Sequence, residues 1–132
     1  MHLPLKKPHR EFFRIALDAG SSNNSVWTPV PGFEGQIDEL ILADNLDQKS
    51  RRGSRTRIAR WHPGTLITQP VVHDFCEEVF VFSGDLVVGC DAEGLGGEAF
   101  DAYTFACRPP GVFHGPFTSR SGCLMFEFQY FD

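Results

Sequence analysis

The sequence predicts an all-β fold, a small sandwich or barrel of the jelly-roll type. Three observations carry this. Short apolar runs of strand length recur along the chain, clusters rich in Gly and Pro separate them, and helical periodicity is nearly absent beyond residue 30. With 132 residues, 13 Gly and 9 Pro, the chain suits one domain of ordinary size, within reach of a small jelly roll.

The elements follow in chain order. Residues 1–30 are the least regular and read as an N-terminal extension packing on the barrel or on a partner subunit; 31–132 read as the barrel domain. Within the extension, 9–17 suits a short helix or a strand, and 18–25, rich in Gly, Ser and Asn, reads as loop. Strands are expected at 37–43, 55–61, 64–68, 77–82, 86–89, 103–107 and 123–131. The punctuation between them is turn chemistry, as in His62-Pro63-Gly64, Ser83-Gly84-Asp85 and Pro109-Pro110-Gly111. In the last strand Leu124, Phe126, Phe128 and Tyr130 alternate with Cys123, Met125, Glu127, Gln129 and Phe131. Apolar residues on both parities indicate a strand covered on both faces, the outer one by the N-terminal segment or by a second subunit of a homodimer.

Seventeen acidic and twelve basic residues leave a net charge of -5, a poor match for nucleic acid, whose binding needs Lys and Arg against phosphates. The one basic concentration, 49–57, reads as a solvated loop running into an edge strand. No apolar run approaches the ~20 residues of a membrane span. Charged residues follow the first eight where a signal peptide would be apolar, so the expected compartment is the cytoplasm. Cys76, Cys90, Cys107 and Cys123 lie far apart without a C-x-x-C pair; free, buried thiols are expected there, with disulfides left open by spacing alone.

Two stretches carry candidate chemistry. In 71–84, strand alternation puts Glu77, Val79 and Val81 on one face and Glu78, Phe80 and Phe82 on the other. One of two adjacent carboxylates is thereby steered inward, where it needs a partner or a cation. His73 precedes Glu77 by four positions on the same parity; a solvated strand start with a loop histidine explains this stretch equally well. In 107–116 two prolines and a glycine make a rigid turn that presents His114.

Together these stretches resemble the cupin superfamily over roughly residues 55–131. Gly64 opens the first cupin motif, Val71 and His73 take its H-x-H positions, and Glu77 and Gly84 follow at its spacing. Pro109, Gly111 and His114 match P-x-G-x-x-H of the second. The chain is also similar to the cupin domain of anti-sigma factors, through Glu-Glu-Val-Phe-Val, Arg-Pro-Pro-Gly and Gly-Cys-Leu. The resemblance implies a cupin-type jelly-roll β-barrel, a double-stranded β-helix, with a metal centre in its mouth.

Departures from the motifs bear on function. Val71 stands where a metal histidine belongs, Tyr103 where a glycine belongs and Thr118 where an asparagine belongs. The implied ligand set shrinks to His73, Glu77 and His114, two imidazoles and a carboxylate suited to a divalent iron, zinc or manganese ion. A barrel that has lost its metal and kept its pocket is the competing reading. The implied function is that of a metal-dependent enzyme, dioxygenase-like or isomerase- or lyase-like, on a small organic molecule. The alternative is a noncatalytic cupin that senses a metal or a small molecule.

Further residues have bounded expectations. Cys76 has the wrong parity for a ligand. Cys107 and Tyr103 share a parity that can line the pocket, as can Phe75, Phe80, Phe113 and Phe117. Glu127 on the closing strand can face the cavity as a base or hydrogen-bond acceptor, although an exposed Glu is commoner. His62 reads as a turn residue. Of Arg57 and Arg60, which could hold a carboxylate substrate, opposite parity allows at most one inside.

Overall fold

The computed structural model describes residues 6–17 and 26–132. Among these residues ten strands form two antiparallel sheets: β1 (Thr28–Pro29), β2 (Ile37–Asp44), β3 (Ser54–Trp61), β4 (Thr65–Ile67), β5 (Cys76–Gly84), β6 (Leu86–Val88), β7 (Glu98–Phe100), β8 (Thr104–Arg108), β9 (Phe117–Ser119) and β10 (Cys123–Tyr130). One sheet runs β1-β2-β3-β10-β5-β8 and the other β4-β9-β6-β7. The chain crosses between the sheets after β3, β4, β5, β7, β8 and β9, the pattern of a jelly roll. Among the described residues no helix is long and apolar enough to cross a membrane.

Every expected strand is present, with ends moved by one or two residues. The three unforeseen strands, β1, β7 and β9, are only two or three residues long, too short to show a period of two. Residues 9–17 form neither helix nor strand. Side chains tie this segment to the barrel instead of backbone pairing: the Arg10 guanidinium donates to the Ile41 and Leu42 carbonyls, and Lys7 donates to Ser54 Oγ. The expected loop 18–25 lies outside the described residues.

Strand β3 is not at an edge; it is sandwiched between β2 and β10. The basic stretch therefore divides. Arg51 and Arg52 are exposed in the loop, whereas Arg55 and Arg57 point between the sheets. Alternation in β10 is strict: Cys123, Met125, Glu127 and Gln129 are buried, and the residues between them are half-buried on the outer face. The interior is apolar at one end, where Ala59, Trp61, Ile67, Val79, Leu86, Phe117 and Met125 pack together, with the Trp61 and Phe117 rings edge to face.

The departures from the motifs acquire physical meanings here. Tyr103 sits at φ 68°, the left-handed region that glycine adopts without steric cost and a side chain does not. Thr118 is buried, and its hydroxyl donates to the Thr65 carbonyl at 2.8 Å, fastening β9 to β4 rather than facing the interior. Gly84 is irreplaceable in this geometry, since a Cβ there would lie 2.0 Å from the Gly122 carbonyl oxygen. All four cysteines are free; three are buried and Cys107 is exposed.

Candidate functional site

Between the sheets lies a cavity of about 360 Å³. Its polar end is built by register. Across four adjacent strands, Arg55 of β3 stands opposite Gln129 of β10, Gln129 opposite Glu77 of β5, and Glu77 opposite Arg108 of β8. One layer deeper, Arg57 stands opposite Glu127, and Glu127 opposite Val79. Paired residues project from the same face of a sheet, so each row presents its side chains together.

The histidines arrive from outside the strands. A short antiparallel bridge joins Val71 to His114, each donating its amide to the other's carbonyl at 2.7 Å. Gly111 N also donates to the His73 carbonyl at 2.9 Å. The Pro-Pro-Gly turn is thus locked against the segment bearing His73. The rings of His73 and His114 meet edge to face with centroids 5.1 Å apart, and His73 stacks on Phe75 at 4.5 Å.

The three sequence candidates converge. Glu77 Oε1 lies 3.5 Å from His114 Nδ1, and Glu77 Oε2 lies 3.9 Å from His73 Nε2. One ligand atom from each of His73, Glu77 and His114 falls within 4.8 Å of the others. Burial, then the nearby Arg108 and His73, lowers the His114 pKa to about 4; burial and Arg57 also lower that of His73. Both imidazoles are therefore neutral at neutral pH and keep a lone pair to offer.

Glu77 is oriented by its neighbours. The Gln129 amide, 1% exposed, donates to Glu77 Oε2 at 2.6 Å, while its carbonyl oxygen accepts from Arg55 Nε at 2.7 Å. The carboxylate is thereby held in place by an amide that is itself held from behind.

Glu127 does face the cavity, buried, and Arg57 is the inward arginine of the two considered. Arg57 Nε donates to Glu127 at 2.6 Å and Nη1 to Glu39 at 2.7 Å. Burial opposes the charge on Arg57, yet these carboxylates raise its pKa overall; burial raises that of Glu127 against the pull of Arg57. Breaking such a buried pair leaves an uncompensated charge worth about 3–5 kcal/mol. Arg60 lies on the other face, against Asp38 and the Trp27 ring, and His62 is tied to the same Asp38 carboxylate at 2.8 Å.

Other expectations are corrected. Tyr103 and Cys107 do not line the cavity but are exposed, Tyr103 because it lies in the turn before β8 and Cys107 because register pairs it with outward-facing Glu78. Phe80 packs outside against Phe82, and Phe113 is 69% exposed; of the four aromatics considered, only Phe75 and Phe117 line the cavity. Cys76 is buried away from the cavity lining. Sequence reading passed over Arg55, Arg108, Gln129 and Glu39. Parity was the available signal for two of them, since Arg55 shares it with Arg57 and Gln129 with Glu127.

No protein-family model and no curated protein matches the sequence. Solved structures do match in shape. An RmlC-like cupin from Shewanella frigidimarina has a TM-score of 0.64 at 14% identity, with 95% of this chain and 93% of that one covered. KdgF from a Halomonas species has a TM-score of 0.58 at 15% identity, covering 83% of this chain and 89% of the other. An acetylacetone dioxygenase from Acinetobacter johnsonii has a TM-score of 0.56 at 20% identity over 96% of this chain and 78% of its own. Two sheets in jelly-roll order, closed around a polar-mouthed cavity and superposable on these structures, give this chain the RmlC-like cupin fold.

Proposed function

We propose that the protein is a metal-dependent enzyme acting on a small organic molecule in the cavity, with a divalent iron, zinc or manganese ion held by His73, Glu77 and His114. The observation that carries this is the convergence of two neutral imidazoles and one oriented carboxylate within 4.8 Å at the wall of a 360 Å³ cavity. The donors fit such an ion: metal–nitrogen and metal–oxygen bonds of about 2.1 Å bring neighbouring ligand atoms to roughly 3–3.5 Å. Three protein ligands leave coordination positions for a substrate oxygen, and the ion supplies Lewis-acid or redox chemistry there.

The chain's own residues do the remaining work. Gln129 fixes the Glu77 carboxylate, Arg57 and Glu127 neutralise each other in the next row, and the apolar end excludes water from the bound molecule. Likeness in shape to an acetylacetone dioxygenase supports oxygenase-like chemistry.

The test is metal content per chain of untagged protein, with two variants alongside. His114→Ala is expected to lose most of the metal and Cys76→Ala to keep it. A wild-type protein that stays empty after exposure to iron, zinc and manganese would overturn the reading and leave a metal-free binding barrel.

We also propose a homodimer formed through the outer face of the larger sheet. There Phe82, Tyr103 and Phe105 are 43%, 82% and 59% exposed beside Phe80 and Phe126. A monomeric mass by light scattering at micromolar concentration would count against it. Four unpaired cysteines support a reducing compartment, and the cytoplasm is where we place the protein.

A further inference from the structure

Three arginines line the cavity, and they are not equivalent. Arg57 is consumed by Glu127 and Glu39. Arg108 lies 3.8 Å from Glu77 and over the ring of Phe117. Arg55 differs from both. Its Nε is hydrogen-bonded to the neutral Gln129 amide, and among the described residues no carboxylate comes within 4.0 Å of its guanidinium. Asp44, Glu39 and Glu127 act on it only from beyond that range, while burial and the neighbouring Arg57 charge both work against its cation. A half-buried guanidinium with its terminal fork uncommitted is a ready site for an anion, because two parallel N–H donors match the two oxygens of a carboxylate.

The rest of the cavity sets the remainder of the ligand. Arg55 shares its row with Glu77, and two rows away the same strands present Ala59 and Met125, with Trp61 beyond. The cavity is therefore polar at one end, where Arg55 is the arginine left outside any ion pair, and apolar at the other. We propose that its substrate is a small organic carboxylate, seated with the carboxylate on Arg55 and an apolar body against Ala59, Met125 and Trp61. This deepens the reading of the cavity as an enzyme site and rests on it for the word substrate, but binding itself needs only Arg55 and the apolar end.

The experiment is calorimetric titration with matched pairs, phenylacetate against phenylacetamide and hexanoate against hexanamide. The protein is wild type, Arg55→Gln or Arg55→Lys, each metal-free and zinc-loaded. At least one acid is expected to bind more tightly than its amide by about tenfold or more. Arg55→Gln should abolish that preference, and Arg55→Lys, which keeps the charge and loses the fork, should keep part of it. If no acid outcompetes its amide, or if the preference survives in a folded Arg55→Gln protein, the proposal fails. Should Arg55→Gln not fold, a preference undiminished in Arg55→Lys would overturn it instead. Acid preference in a protein that takes up no zinc would support the proposal while overturning the metal reading; zinc uptake without acid preference would do the reverse.

Discussion

Val71 and His114 face each other across a two-residue bridge, exchanging both backbone hydrogen bonds at 2.7 Å. The position that carries a metal histidine in the cupin motif is thus occupied by a valine in the correct place. Val71 lines the cavity beside His73 and His114, so relative to the motif this position lacks an imidazole side chain and not a correctly placed backbone.

A direct consequence concerns Val71→His. Because the backbone at 71 is pinned by both hydrogen bonds, the new imidazole should enter the cavity where valine now projects. Metal affinity is expected to rise on the order of tenfold or more, since a fourth protein donor would join the proposed three. Competition with a chelator measures it; unchanged affinity would mean that the three residues do not form the binding set.

Acidity should weaken the metal-free protein through His114. Its folded pKa is lowered from 6.5 to about 4, so between those values the unfolded chain takes up a proton that the folded chain refuses. Stability therefore falls as pH drops from about 6.5 towards 4. Glu127, raised by burial, works in the opposite direction, so the informative quantity is a difference between proteins. Urea unfolding at pH 7 and pH 5 should show a larger loss for wild type than for His114→Gln. Equal losses would show that His114 is protonated as readily folded as unfolded.

The strain at Tyr103 should be recoverable. Its φ of 68° costs a side chain about 1–2 kcal/mol, while glycine gives back roughly 0.5–1 kcal/mol through the freedom of the unfolded chain. Within one chain the exposed ring contributes little, with its centroid 6.2 Å from that of Phe80, so the comparison is made at concentrations where the protein is monomeric. Tyr103→Gly is expected to be more stable by about 0.5–1 kcal/mol, and Tyr103→Ala to show no gain, because alanine keeps the strain. Thermal or urea melts of the three proteins decide it.

The all-β class, the positions of the longer strands and the opposite parity of Glu77 and Glu78 are legible in the chain's local pattern. These are local properties: turn residues end strands, and a period of two assigns faces. The sequence also singled out His73 and His114, because each stands at a motif spacing within its own stretch; the bridge that brings the two stretches together is long-range. Which strand lies beside which is not a local property. Strand β3 reads as an edge by charge, yet it is sandwiched between β2 and β10, which turns Arg55 and Arg57 from solvated residues into cavity walls. The row Arg55–Gln129–Glu77–Arg108 spans four strands separated in sequence, so its members share no local pattern. Their meeting depends on cross-strand register, set by packing the apolar face and by long-range hydrogen bonding, neither of which a single strand's sequence contains.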